Sequence, residues 1–216
     1  MLRNLYVLFV FLIAFSASLY AQNEKNAKFE GSIEYERYDL DDTLIVKMYF
    51  KNDKVRIDYY TKDKELFKYK IFNFSTDRML IINPERQLYV EKSIEQDMIP
   101  LDSEAEISKT GNHKEILGKE VYQWIVKNTK RNTVVSYWVL PGCCDYYSYM
   151  FEAMGRTNKI IGYFSHIPEN KGFILLEAEE FSLVRDRRMR LVATKIIQQS
   201  PDPELFKLPD NYELFE

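Results

Sequence analysis

Residues 29–60 read FEGSIEYERYDLDDTLIVKMYFKNDKVRIDYY, and the two-residue period of this stretch decides the fold. Phe29, Gly31, Ile33 and Tyr35 alternate with Glu30, Ser32, Glu34 and Glu36, the pattern of a strand with one buried and one wet face. Leu44, Val46, Met48 and Phe50 repeat it. Asn52 and Asp53 then supply a turn, after which Val55, Ile57 and Tyr59 alternate with Arg56, Asp58 and Tyr60. A helix would return its apolar residues every three or four positions, and this stretch does not.

Outward from these strands, Phe67, Tyr69 and Ile71 continue the alternation, and 79–82 and 88–90 flank the Asn83, Pro84, Glu85 turn as another hairpin. Segments 121–127, 133–140, 159–165, 172–183 and 189–198 read as further strands. Two stretches break the pattern. Residues 93–106 are acidic with Pro100 inside, which allows at most a short helix ending before the proline. In 145–156, Asp145 can cap a helix, Tyr146, Met150, Phe151 and Met154 recur at helical spacing, and Gly155 can end it. The expected fold class is mainly β: a single strongly curved antiparallel sheet, an unclosed barrel of about 10–11 strands, with one or two helices on its concave face.

Composition agrees. The 216 residues are 46% hydrophobic and 15% aromatic, with only 7 Gly and 7 Pro, so the chain has enough apolar surface for a core. Thirty basic against 33 acidic residues leave a net charge of −3, which disfavours nucleic acid and broad adhesion to anionic lipid. At the N-terminus, Arg3, the apolar run 5–15 and the small-residue stretch 16–21 have the layout of a secretory signal peptide. The run is too short for a transmembrane helix. Cleavage is expected after Ala21, with Ser18 as the alternative, leaving 22–216 as one domain. No Cys stands at the junction to carry a lipid, so a periplasmic or secreted protein is expected, not an integral membrane one.

Catalytic motifs are missing. There is no G-x-S-x-G elbow, no phosphate-binding glycine loop and no H-E-x-x-H. His166 follows Ser165 but reads as a strand-end or turn residue. Glu177 and Glu179 fall on one face of a strand and Glu180 on the other, and all three read as a solvated face. Cys143 and Cys144 are adjacent; free thiols, a strained vicinal disulfide and an intermolecular bond all remain open. Adjacent thiolates chelate one ion poorly, and His113 and His166 lack ligand partners at metal spacing, so no metal and no cofactor are expected.

The opening F-x-G-x-I-x-Y (Phe29, Gly31, Ile33, Tyr35), the run 48–58 (MYFKNDKVRID), the segment 114–124 (KEILGKEVYQW) and the closing 205–213 (LFKLPDNYE) carry a resemblance. They resemble secreted Bacteroidota domains of unknown function that are similar to the outer-membrane lipoprotein carrier and receptor (LolA/LolB-like) superfamily. The resemblance implies a half-barrel of antiparallel strands with a helical plug, whose concave apolar face takes up acyl chains. Arg56 matches a strand position where that superfamily often has an arginine.

The expected function is a non-enzymatic binding or carrier module of the cell envelope, for lipid, lipoprotein acyl chains or another hydrophobic ligand. Its expected cavity residues are Val46, Met48, Phe50, Val55, Ile57, Tyr59 and Ile71 on the sheet, with Tyr146, Met150, Phe151 and Met154 on a lid spanning 141–156. A filled core without ligand fits the strand pattern equally. The alternative function is an accessory subunit that docks onto an outer-membrane or secretion complex through aromatics such as Tyr59, Tyr60, Tyr146, Tyr147 and Tyr149.

Overall fold

The computed structural model describes residues 29–94, 105–142 and 159–215. The strands are β1 (Gly31–Tyr38), β2 (Thr43–Lys51), β3 (Lys54–Tyr60), β4 (Leu66–Asn73), β5 (Arg78–Asn83) and β6 (Leu88–Ser93). They continue with β7 (Ala105–Ile116), β8 (Lys119–Asn128), β9 (Thr133–Pro141), β10 (Phe173–Phe181), β11 (Arg187–Ile197) and β12 (Glu213–Leu214). One short helix, α1 (Lys159–Ser165), stands between β9 and β10. All the strands join one sheet in the order β12-β6-β5-β4-β3-β2-β1-β11-β10-β9-β8-β7, which does not close into a barrel.

Two meanders make this sheet, β1–β6 and β7–β11, and among the described residues the ladder that joins them edge to edge is the antiparallel pairing of β1 with β11. Ser32 lies opposite Ile197 and Tyr35 opposite Ala193, with a register shift between Glu34 and Tyr35. Gly31 is required here because a Cβ at that position would run into the Ile197 carbonyl oxygen and into Phe29. Across the seam, the Tyr35 hydroxyl donates to the Leu175 carbonyl of β10 at 2.8 Å. β11 lies between those two strands, so the bond draws the sheet inward.

The face carrying Ile33, Tyr35, Val46, Met48, Phe50, Val55 and Ile57 runs on through Leu191, Ala178, Tyr137 and Trp124, all buried in one apolar cluster. We call it the inner face. α1 packs on it at the β8–β9 end: the Trp124 and Phe164 rings stack at 6.2 Å, and Tyr137 donates to the Ile160 carbonyl at 2.6 Å.

The structure corrects three sequence expectations. Segment 159–165 is helical, not extended, because Ile160, Tyr163 and Phe164 bury together at helical spacing. β7 had no apolar alternation to reveal it: it is a sheet edge whose exposed positions carry Glu106, Ser108 and Lys109. Solvent on one side and at the edge lets such a strand be polar. Its residues 105 and 106 also end the helix candidate 93–106 in a strand, while 95–104 lie outside the described residues.

Gly31→Ala should destabilise the protein by about 1–3 kcal/mol in urea unfolding, because the Ile197 carbonyl cannot withdraw without opening the seam. Gly118→Ala, with no neighbour within 4 Å of its would-be Cβ but a φ of +71°, should cost only the local strain of its turn, about 1 kcal/mol, and leave the seam intact.

Candidate functional site

Six of the expected cavity residues come together on the inner face. Cross-strand register places Phe50 opposite Val55, Met48 opposite Ile57 and Val46 opposite Tyr59. Directly opposed residues share a face. All six are buried, Tyr59 being the most accessible at 8%, so they form a covered apolar floor. Ile71 is a correction: it lies opposite Arg56 and Leu80 and packs with Tyr69, Leu80 and Ile82 on the other face. The physical reason is a bulge. Tyr59 pairs with Lys68 but Tyr60 pairs with Leu66, which leaves Phe67 as the extra residue. Such an insertion shifts the alternation by one, and every later side chain changes face. Tyr146, Met150, Phe151 and Met154, both cysteines and residues 143–156 of the expected lid lie outside the described residues, as does the 1–21 leader, while Pro141, expected to open the lid, is the last residue of β9.

The bulge turns Phe67 toward Tyr59, their ring centroids 6.5 Å apart, and this aromatic pair marks the start of a groove. The groove has a volume of about 340 Å³ and is lined chiefly by Phe67, Ile81, Leu88, Val90 and Phe215, with Lys68 and Arg86 as its cations. The Lys68 ammonium lies 4.6 Å from the Tyr59 ring centroid. Burial, helped by the nearby Arg37 charge, lowers the Lys68 pKa, and burial pushes the Tyr59 phenol up to about 12. The aromatic-docking expectation loses Tyr59 by this burial, and the Tyr60 hydroxyl is turned to Asp58 at 3.1 Å. Sequence reading missed the groove. Its one legible signal was the adjacent apolar pair Leu214 and Phe215.

A strap formed by 201–215 brings Phe215 there. Lys51 donates to the Pro201 carbonyl at 2.6 Å and Arg56 to the Leu205 carbonyl at 2.9 Å. Arg56 also pairs with Asp58 at 2.6 Å and lies 4.1 Å from the Tyr69 ring centroid. Leu208 and Tyr212 then cover the outer-face cluster that contains Ile71. β12 ends the strap as a parallel addition to β6, Phe215 N–H donating to the Tyr89 carbonyl at 2.8 Å.

With this geometry in hand, residues 29–212 match the family described as "Domain of unknown function (DUF4412)". The chain belongs to the DUF4412 family. A comparison with curated proteins finds no match. Among solved structures, this DUF4412 chain is similar to an uncharacterized conserved protein from Thermus thermophilus, at 6% identity and a TM-score of 0.56, covering 93% of this chain and 98% of that one. That likeness is one of fold. Two others are an outer membrane lipoprotein-sorting protein domain from Vibrio parahaemolyticus (9% identity, TM-score 0.35, 87% of this chain and 94% of that chain) and MucB in the Pseudomonas aeruginosa MucA/MucB complex (8% identity, TM-score 0.49, 87% and 58%). The family match over 29–212 and the open twelve-stranded sheet bear out the expected domain of unknown function and its half-barrel fold.

Glu177 of this DUF4412 domain is not solvated, contrary to expectation. Its carboxylate accepts from Arg190 at 2.8 Å and from Lys114, whose ammonium lies 4.2 Å from the Trp138 ring centroid. In a flat sheet β7 and β10 would be roughly 14 Å apart, so the end of the β7–β8 hairpin folds back over β9. Burial alone would raise the Glu177 pKa, but the bonds from Lys114 and Arg190 outweigh it and hold it below the ordinary value. Glu180, on the opposite face, reaches Thr133 at 3.3 Å and Arg188 at 3.7 Å. His166 Nδ1 lies 2.7 Å from the Gly162 carbonyl and 3.1 Å from Ser165 Oγ, so the pair closes the end of α1. Among the described residues no group of three His, Cys, Asp or Glu is placed to hold a metal, and no helix is long and apolar enough to cross a membrane.

Arg56→Ala should cost about 3–5 kcal/mol in chemical unfolding, because it leaves the buried Asp58 uncompensated, and it should expose the strap to proteolysis. Arg56→Lys should not restore either property, since one ammonium cannot serve Asp58, Tyr69 and the Leu205 carbonyl together.

The Glu177 cluster predicts acid sensitivity. With a folded pKa below the ordinary 4.5, its contribution is complete above that pH and is lost as pH falls through the folded value. Glu177→Gln should flatten the acid limb of stability against pH; an unchanged limb would assign acid unfolding to other carboxylates.

Proposed function

We propose that this DUF4412 domain is a binding or carrier module of the cell envelope for a hydrophobic ligand, and that the groove under Phe215 is where the ligand enters. One observation carries the reading: an apolar groove of about 340 Å³ stays open beside a covered apolar floor. That volume falls in the range of small-molecule sites, roughly 300–1,000 Å³. Each methylene buried there contributes about 0.8 kcal/mol. Lys68 and Arg86 supply charges for an acidic headgroup, and the lowered pKa of Lys68 reflects an ammonium partly removed from water. From the Tyr59–Phe67 contact, Val46, Met48, Phe50, Val55, Ile57 and Tyr59 continue the apolar surface as the covered floor beside the groove.

A fluorescent fatty-acid probe titrated into the mature chain should bind saturably, and palmitate should displace it. Ile81→Glu, which puts a carboxylate into the groove, should weaken that binding by about tenfold or more, while Glu85→Gln on the neighbouring turn should not change it. The reading fails if no saturable displacement occurs and mass spectrometry of the protein from its host shows no copurifying lipid.

A further inference from the structure

The groove under Phe215 differs from one end to the other. The β4–β5 ladder opens with Tyr69 opposite Ile82, and Lys68 and Asn83 stand one step beyond that pair, at the strand ends. Arg86 follows on the β5–β6 turn, so the cations and the amide of the groove wall gather at one end. Ile81 and Val90 lie opposite each other further into the sheet, and Leu88 and Phe215 extend their apolar wall. The groove is thus polar at its head and apolar along its length.

The polar end offers donors. The Asn83 side-chain oxygen accepts from the Arg86 N–H at 3.0 Å, which leaves the Asn83 NH2 group to donate. The half-buried Lys68 ammonium lies 4.6 Å from the Tyr59 ring centroid and 5.8 Å from that of Phe67. Aromatic faces attract a cation without neutralising it. Among the described residues no carboxylate lines the groove, and no ion pair joins Lys68 or Arg86 to one. Arg37, the cation near Lys68, is not part of this set, because Asp39 holds it at 2.9 Å. Burial and the Arg37 charge lower the Lys68 pKa, as they must where no anion stands beside the ammonium. Keeping a cation partly out of water with no counter-ion is costly, and an anionic ligand would relieve that cost.

We propose that the groove selects a single-chain amphiphile with a free carboxylate, its head seated among Lys68, Asn83 and Arg86 and its chain lying along Ile81, Val90 and Phe215. Such selection rests on the groove being the ligand site, and it narrows what that site takes. A carboxylate accepts from several donors at once, and charge-assisted bonds of this kind are roughly twice as strong as neutral ones. A hydroxyl head would leave both cations unmatched. Volume sets the number of chains: about 340 Å³ lies near the lower end of the roughly 300–1,000 Å³ of small-molecule sites, which suits one chain better than two. An acyl chain joined to glycerol or to a protein through an ester or amide bond carries no charge at its head, so these donors give it no advantage. The arrangement therefore favours a free fatty acid over the acyl chains of a lipoprotein.

Calorimetric titration of the mature chain with laurate and with dodecanol tests this, since the two probes share a chain length and differ in head charge. Laurate should bind more tightly than dodecanol by about tenfold or more, and Lys68→Met with Arg86→Gln should remove that preference. Ile81→Glu should weaken both probes, which places both chains in the groove. The melting temperature checks that each variant folds; if the double variant does not, Arg86→Gln alone, on its exposed turn, should still reduce the preference severalfold. Equal affinity of the wild type for the two probes would overturn the selection and leave the groove standing as a hydrophobic site. A preference that survives loss of the cations would overturn the placing of the head, and binding of neither probe would overturn both the selection and the groove as a ligand site.

Discussion

The pairing of β1 with β11 holds the molecule together. Each meander forms from neighbours in sequence, but among the described residues it is this ladder that joins the two into one sheet, and its partners are more than 150 residues apart. Closing so long a loop costs entropy before any contact repays it. The seam therefore has to pack without error, and Gly31 and the Tyr35–Leu175 bond are its means. An alanine methyl at Gly31 would disturb both halves at once, although it would add only one carbon.

On the inner face the two halves share one apolar cluster, which is where folding free energy is concentrated. The outer face is organised differently, by ions held under cover. Arg56 satisfies Asp58, stacks over Tyr69 and anchors the strap through Leu205, while Glu177 gathers Lys114 and Arg190. Buried pairs of this kind contribute less net stability than geometry, since desolvation offsets much of their attraction. Their effect here is to fix where the strap and the hairpin end lie, and so to place Phe215 beside the groove.

This arrangement separates two kinds of apolar surface. The inner floor is covered and continuous, as a core is. The groove is small, open and flanked by cations, and its walls come from β4, β5, β6 and the end of the strap. A ligand there would exchange water for apolar contact without first breaking the core, so the groove can act while the rest of the sheet stays folded.

The sequence by itself determined the class, because a period of two over 29–60 can bury one face only as strands, and the matched residues in 29–212 place the chain in its family. It also placed six of the seven sheet residues expected on the inner face, since alternation is reliable within an uninterrupted strand. Ile71 escaped because one extra residue, Phe67, resets the alternation, and a bulge is chosen by cross-strand register, not by local pattern. Segment 159–165 was ambiguous for a related reason: a seven-residue apolar stretch has too few turns for its period to show, and contacts with Trp124 and Tyr137 decide for the helix. Only tertiary structure could join Phe67 to Phe215, 148 positions later, into one groove. That site is made by strand order and long-range pairing, and local sequence carries no record of which strands become neighbours.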